Sequence, residues 1–94
     1  MRVISRKAIR EFTRENPDAT APLSIWHKEV TNDGWKSTSD LRATFRDADI
    51  VGDKVVFNIA RNRYRLIAFV AYRARKVFIK AILTHKQYDK ETWK

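Results

Sequence analysis

The stretch KVVFNIARNRYRLIAFVAYRARKVFIKAIL, residues 54–83, is typical of three β-strands joined by two tight turns. Its three apolar segments are rich in β-branched and aromatic residues, which favour extended structure. Short basic segments separate them, so we expect two hairpins, although the second turn contains neither Gly nor Pro. This stretch therefore predicts an antiparallel meander.

The sequence before this meander predicts one strand and three helices. Residues 1–4 suit a short strand, and Ser5 is a candidate N-cap for the first helix. Gly34 suits a left-handed end of the second helix, and a short third helix is expected around Leu41. The inner stripe of the second helix is Ala19, Leu23, Trp26 and Val30. This order predicts an α+β fold, with the N-terminal strand and helices packed on one face of a small antiparallel sheet.

Length and composition limit the class of protein. Ninety-four residues predict a single domain spanning residues 1–94, and 44% hydrophobic with 33% charged residues suits a folded chain. The absence of Cys excludes disulfides, thiolate metal ligands and cysteine nucleophiles. The charged N-terminus does not resemble a signal peptide, and no apolar run reaches membrane-spanning length, so we expect a cytoplasmic protein.

The net charge of +9 is concentrated in one part of the chain. Residues 1–53 contain nine basic and nine acidic residues, whereas residues 54–94 contain eleven basic and two acidic residues. The meander and the tail therefore carry the whole excess. Such an asymmetry indicates a basic surface and a polyanionic partner, which leaves RNA, DNA, an anionic membrane or an acidic protein open.

Strand alternation indicates where this charge lies. We call the sheet face away from the helices the outer face. In the middle segment it is expected to carry Arg63, Arg65, Ile67 and Phe69. In the third segment it is expected to carry Lys76, Phe78, Lys80 and Ile82.

Arg63, Arg65 and Lys80 are thus predicted to stand together beside aromatic rings. A plain solvated face would explain the cations alone. It would not explain the apolar rings, or the lack of acidic residues on these two strands. Cations and rings together are typical of a surface that binds single-stranded RNA.

Two motifs stand in order in the chain, VFNIARNRYRLIAFV at residues 56–70 and VFIKAILTHKQYDKETW at residues 77–93. Through them the chain resembles the HigB-type toxins, a branch of the RelE superfamily of messenger-RNA-cleaving toxins. A weaker match is Trp35 with DLRATF at residues 40–45. One departure is Arg61, because a glycine is common just before the asparagine of the first motif.

This resemblance implies a compact α+β domain and a defined reaction. Such toxins cleave mRNA, mostly in the ribosomal A site, without a metal or other cofactor. The ribose 2′-hydroxyl attacks the adjacent phosphate and leaves a 2′,3′-cyclic phosphate and a 5′-hydroxyl. The partner implied is a helix-turn-helix antitoxin, and operator DNA is bound only through the toxin–antitoxin complex.

The resemblance also assigns candidate residues. Arg65 would stabilise charge on the phosphorane, worth roughly 3 to 4 kcal/mol, and Lys80 would assist. His85 and Tyr88 are the acid and base candidates, and their order stays open, because both side chains can transfer protons. The residues expected to hold RNA phosphates are Arg61, Arg63 and Lys86.

Plainer readings exist for several of these residues. His85 could be an ordinary loop histidine, Tyr88 could pack the tail, and Asp89 is expected to orient His85 or Lys86 or to cap a helix. His27 is expected to be a structural or a surface residue. Two histidines so far apart in sequence do not predict a metal site.

Two other functions remain open from sequence. The chain could be a non-catalytic RNA- or ribosome-binding module, or a degenerate toxin that retains only antitoxin binding. A membrane role is the weakest reading, because no predicted helix pairs a basic face with a broad apolar one.

Overall fold

The structure is a computed structural model that describes residues 1–90 and Trp93. The rest of the predicted tail lies outside the described residues. The elements in chain order are β1 (Arg2–Ile4), α1 (Arg6–Glu15), a 3₁₀ turn (Pro17–Ala19), α2 (Thr20–Asn32), α3 (Thr38–Thr44), β2 (Asp49–Val51), β3 (Lys54–Ile59), β4 (Tyr64–Ala71), β5 (Lys76–Thr84) and α4 (His85–Asp89). Within the described part, none of the helices is long and apolar enough to cross a membrane.

The sheet has five strands in the order β1-β5-β4-β3-β2. The predicted meander is confirmed, because β3, β4 and β5 pair antiparallel through turns at residues 60–63 and 72–75. The α+β class is confirmed as well. The sheet is mixed, however, because β1 joins its edge parallel to β5 instead of lying on its face. Strand β2 was not predicted, since three residues are too few to show alternation.

The core lies between the helices and one sheet face. The predicted stripe is buried, with relative exposures of 0 to 2% for Leu23, Trp26 and Val30 on α2 and for Ala19 in the 3₁₀ turn before it. Trp26 meets Phe57 of β3 edge to face, with ring centroids 5.4 Å apart. In the same way α1 packs through Phe12 onto Tyr64 of β4, at 5.1 Å. These contacts fix the helices on the face opposite the outer one.

The helix α2 ends within residues 31–34, as predicted, but the left-handed cap expected at Gly34 is wrong. The helix ends at Asn32, and Asp33 is already extended with φ −90° and ψ 151°. The Met1 amino group donates to the carbonyls of Val30 at 3.1 Å and Asp33 at 2.7 Å. Because this cation satisfies carbonyls at the helix end, no left-handed glycine is required there.

Strand β5 contains an irregularity that reverses its faces. The pairing with β4 shifts between Ile67 and Ala68, so that Lys80 is the extra residue between Ile79 and Ala81. Such a bulge interrupts the alternation of side chains. Ile82 therefore lies opposite Leu66 and packs against the core, which corrects its predicted place on the outer face.

The first hairpin turn has an unusual backbone. Ala60, Arg61 and Asn62 have φ values of 54°, 54° and 72°, all in the left-handed region. Asparagine tolerates this conformation, whereas a side chain such as arginine is strained in it by roughly 1–2 kcal/mol. Glycine would adopt this backbone at position 61 without strain, which fits the expectation that similar sequences have a glycine there.

Replacing Arg61 with Gly is expected to raise the free energy of unfolding by up to about 1 kcal/mol, because glycine adopts a positive φ without strain. Urea unfolding followed by circular dichroism measures it. Arg73→Gly is the matched control, because Arg73 is an exposed turn arginine outside the set of residues with positive φ. That variant is expected to lose stability. Equal losses for both variants would contradict the strain at Arg61.

Candidate functional site

Arg65 stands near the start of β4, on the outer face, and is half-buried. Its guanidinium Nη1 donates to the carbonyl of Asn62 at 2.7 Å and to that of Tyr64 at 3.2 Å. These bonds to its own turn orient the side chain. Within residues 1–90, no carboxylate lies at ion-pair distance from Arg65. The guanidinium is therefore held in place, and no carboxylate among the described residues neutralises its charge.

Tyr88 on α4 lies beside this guanidinium. The central carbon of Arg65 is 5.3 Å from the centroid of the Tyr88 ring, a cation–π contact. Trp93 stacks on the same ring at 4.9 Å with an interplanar angle of 14°, and its Nε1 donates to the Tyr88 carbonyl at 2.9 Å. The packing role considered for Tyr88 is thus present, and its ring also helps to place Arg65.

A capping box begins helix α4 and positions His85. Gln87 N donates to Thr84 Oγ1 at 3.2 Å, and Thr84 N donates to Gln87 Oε1 at 2.9 Å. The spacing Thr-x-x-Gln is a known helix-start signal and could have been identified from the sequence. His85 N also donates to the carbonyl of Arg63 at 3.1 Å, which ties α4 to the first hairpin turn.

His85 is paired with Asp89 one turn later on α4. Its Nδ1 lies 2.9 Å from Asp89 Oδ2, and both side chains are more than half exposed. This contact agrees with the expectation that Asp89 orients His85. With Nδ1 directed at the carboxylate, Nε2 is the ring nitrogen left to meet a ligand.

The register of β4 with β5 brings Arg65 on β4 close to His85 at the start of α4. Arg65 is opposite Leu83, and His85 follows two residues later, so their Cα atoms are roughly 8 Å apart. Lys80 is three residues before Leu83, which places its Cα roughly 11 Å from that of Arg65. Arg61 in the turn and Lys86 on α4 are exposed near the same end of the sheet.

Arg63 does not join this group. It forms an ion pair with Asp18 at 3.0 Å, and the same carboxyl accepts the Tyr64 hydroxyl at 2.6 Å. Asp18 belongs to the 3₁₀ turn before α2, so Arg63 is directed toward the helical side. The predicted cluster of Arg63, Arg65 and Lys80 is therefore wrong in its first member. A place for Arg63 in RNA binding stays a prediction.

His27 lies away from this site, in a cleft between α1 and α2. The cleft, about 170 Å³ in volume, is also lined by Arg6 and Arg10. Burial and the nearby Arg6 charge lower the pKa of His27 below its ordinary value. The described residues contain no group of three His, Cys, Asp or Glu side chains that could hold a metal ion.

Comparison with known proteins agrees with the resemblance seen in the sequence. A family model described as HigB toxin, the RelE-like toxic component of a toxin–antitoxin system, matches residues 19–91. The mRNA interferase toxin HigB of Escherichia coli K12 is 27% identical over 92 residues, or 95% of this chain and 88% of the relative. The mRNA interferase HigB of Shigella flexneri matches with the same values. The mRNA interferase HigB of E. coli O6:H1 is 24% identical over 95 residues.

The Asp18 contact predicts a distinct titration of Tyr64. The hydrogen bond to Asp18, followed by burial, raises the pKa of Tyr64 above the ordinary value of 10.0. The stability that this shift contributes is present below pH 10 and is lost as pH rises through the folded-state pKa. Asp18→Asn is expected to lower the pKa of Tyr64, as measured by phenolate absorbance with Tyr64→Phe identifying the signal.

Asp47→Asn serves as the control for this titration, because Asp47 bonds to Asn58 and contacts no tyrosine hydroxyl in the described part. It is expected to leave the Tyr64 transition unchanged. A Tyr64 pKa that does not fall in Asp18→Asn would show that the hydrogen bond is not the main cause.

Proposed function

This chain belongs to the HigB family, the RelE-like toxic components of toxin–antitoxin systems, and on this premise we propose that it is an endoribonuclease that cleaves messenger RNA. The names of its relatives support the proposal, since they are called mRNA interferases and align with nearly the whole chain. The structural observation that carries it is Arg65. A guanidinium oriented by backbone carbonyls and without a carboxylate partner in the described part suits a phosphate ligand.

The proposed reaction is an internal transfer at phosphorus. A base takes the proton of the ribose 2′-hydroxyl, and the 2′-oxygen forms a bond to the adjacent phosphorus. The bond from phosphorus to the 5′-oxygen then breaks, and an acid gives that oxygen its proton. The products are a 2′,3′-cyclic phosphate and a 5′-hydroxyl. Because the nucleophile belongs to the RNA, the protein needs no bound cofactor for this step.

Arg65 is assigned to the phosphate that is cut. Two guanidinium N–H groups can donate to the two non-bridging oxygens at once, and these oxygens gain charge in the transition state. Because the carbonyls of Asn62 and Tyr64 already orient the guanidinium, the Arg65 side chain loses less conformational entropy when the phosphate binds. The Tyr88 ring supports the same guanidinium from the side of α4.

His85 and Tyr88 are assigned to the two proton transfers. Nε2 of His85 is the transferring atom, because Nδ1 is directed at Asp89. The Tyr88 hydroxyl belongs to a residue already in contact with Arg65, so it lies on the side of the site where the phosphate would bind. Asp89 has a positioning role, because its contact with Nδ1 orients the His85 ring.

The remaining cations are assigned to the rest of the RNA strand. Lys80 stands on the outer face, and Arg61 and Lys86 are exposed in the first turn and on α4. Arg63 lies in the same turn, with its side chain paired to Asp18. We place the substrate mRNA in the ribosomal A site and the protein in the cytoplasm. We further propose a helix-turn-helix antitoxin as the partner, and contact with operator DNA only through that complex.

Substitutions at Arg65 test the phosphate contact. Arg65→Ala is expected to reduce cleavage of a reporter mRNA by about a hundredfold to a thousandfold, as for loss of one fixed donor of this kind. Arg65→Lys keeps the charge but not the planar fork, so it is expected to restore only part of the activity. The matched control is Arg73→Lys, an exposed arginine in the second hairpin turn. Equal cleavage by Arg65→Ala and the unmodified protein would contradict this role.

Substitutions on α4 separate proton transfer from binding. His85→Ala is expected to lower cleavage by about 10² to 10⁴ while an uncleavable RNA still binds, and Asp89→Asn is expected to lower it less. Tyr88→Phe keeps the ring that contacts Arg65 and Trp93. A loss of cleavage in this variant similar to that of His85→Ala would therefore be due to the missing hydroxyl alone. Single-turnover cleavage and filter binding measure both effects. A fully active Tyr88→Phe would leave Tyr88 only a positioning role.

A further inference from the structure

A pair of phenylalanines on the outer face is not explained by the core. Phe69 of β4 and Phe78 of β5 lie directly opposite each other, with ring centroids 6.2 Å apart and planes tilted by 31°. Their neighbours Ala68, Val70 and Val77 are buried on the helical side. Phe69 itself is 37% exposed, in the middle strand of the sheet. The two rings therefore form an apolar patch on the sheet surface.

Cations surround this pair of rings. Lys80 Nζ lies 5.9 Å from the centroid of Phe78, and Lys80 forms no ion pair within residues 1–90. Lys54 and Phe69 line the same surface cavity of about 210 Å³, where Lys54 Nζ forms an ion pair with Asp53 at 3.3 Å. On the other side, Arg2 and Lys76 stand opposite each other on β1 and β5. Rings bordered by lysine and arginine side chains suit a ligand that is both planar and anionic.

The ring pair is continuous with the candidate site. Phe69 is four residues along β4 from Arg65, a separation of roughly 13 Å on the same face. At 3.4 Å per nucleotide, this corresponds to about four nucleotides of stacked strand, and to fewer when the strand is extended. A strand held at its cut phosphate by Arg65 can therefore reach the rings with bases that flank the cut.

We propose that Phe69 and Phe78 form a stacking platform for one or two unpaired bases of the RNA strand, outside the nucleotides that are cut. This inference rests on the proposed function and adds a second subsite to it. Aromatic side chains on neighbouring central strands of a sheet stack bases in the same way in RNA-recognition domains. Lys80, which forms no ion pair within residues 1–90, binds a phosphate of the stacked nucleotides.

Stacking of this kind contributes affinity and does not select a base, because every base offers a flat face. The platform thus positions the strand along the sheet, while Arg65, His85 and Tyr88 act on one phosphate. An acidic protein segment would also bind the cations, but its carboxylates would not stack on two adjacent aromatic rings. The flat aromatic surface therefore favours RNA over a protein ligand.

The test uses a ten-nucleotide single-stranded RNA with 2′-O-methyl riboses, which cannot be cut because the attacking hydroxyls are blocked. The double variant Phe69→Leu/Phe78→Leu keeps apolar bulk and removes the rings. We expect it to bind the decamer about tenfold to a hundredfold more weakly by fluorescence anisotropy. Phe69→Tyr/Phe78→Tyr retains the rings and is expected to bind like the unmodified protein.

Ile25→Ala is the control, because Ile25 is a 61% exposed apolar residue on α2, on the helical side of the sheet. It should not change RNA affinity. A decamer carrying 5-iodouridine is also expected to crosslink to Phe69 or Phe78 on irradiation. Unchanged affinity of the Leu variant, crosslinks only elsewhere, or no measurable binding by the unmodified protein would overturn the platform.

The outcomes also separate this inference from the proposed function. If the unmodified protein cuts mRNA in cells while the Leu variant keeps full decamer affinity, the platform is wrong and the endoribonuclease stands. If decamer binding depends on the rings but no mRNA is cut, the platform stands and the catalytic proposal fails. Loss of antitoxin binding with unchanged RNA affinity would make the rings a protein-docking surface and would overturn the platform.

Discussion

The pairing of β4 with β5 sets the position of almost every feature of the site. Tyr64 lies opposite Thr84, so the helix that begins after Thr84 starts beside the turn that precedes Tyr64. This single register brings Arg65 next to Tyr88, and it lets the backbone N–H of His85 donate to the carbonyl of Arg63. A slip of one residue would turn Arg65 toward the core, since neighbouring residues in a strand face opposite sides.

The bulge at Lys80 is part of the same constraint. Without the extra residue, the inward positions Val77 and Ile79 would be followed by an inward Ala81 and Leu83. With it, the inward residue is Ile82, a larger side chain than alanine, which packs against the core near α1. Lys80 is exposed on the outer face beside Phe78, where regular alternation also places it. The effect of the irregularity is thus on the helical side, where Ile82 takes the place of Ala81 and Leu83.

Much of the fold could be predicted because its signals are local. The apolar segments of the meander and the stripe of α2 follow directly from residue type and spacing. Three features depend on partners distant in the chain, namely the bulge, the parallel pairing of β1, and an end of α2 that needs no left-handed glycine. At that end of α2, the Met1 amino group donates to the carbonyl of Val30. The candidate residues were found by motif, yet Arg63 could not be separated from Arg65, because its partner Asp18 is 45 positions away in sequence.

The most direct measurement of the central claim is the chemistry of new RNA ends after the protein is induced in a bacterium. Total RNA is labelled at free 5′-hydroxyls with a polynucleotide kinase, without prior phosphatase, and the labelled ends are mapped. The expected result is a set of new 5′-hydroxyl ends inside coding sequences, present with the unmodified protein and absent with Arg65→Ala. Soluble, folded protein that produces no new ends, or only ends bearing a 5′-phosphate, would contradict cleavage by attack of the 2′-hydroxyl.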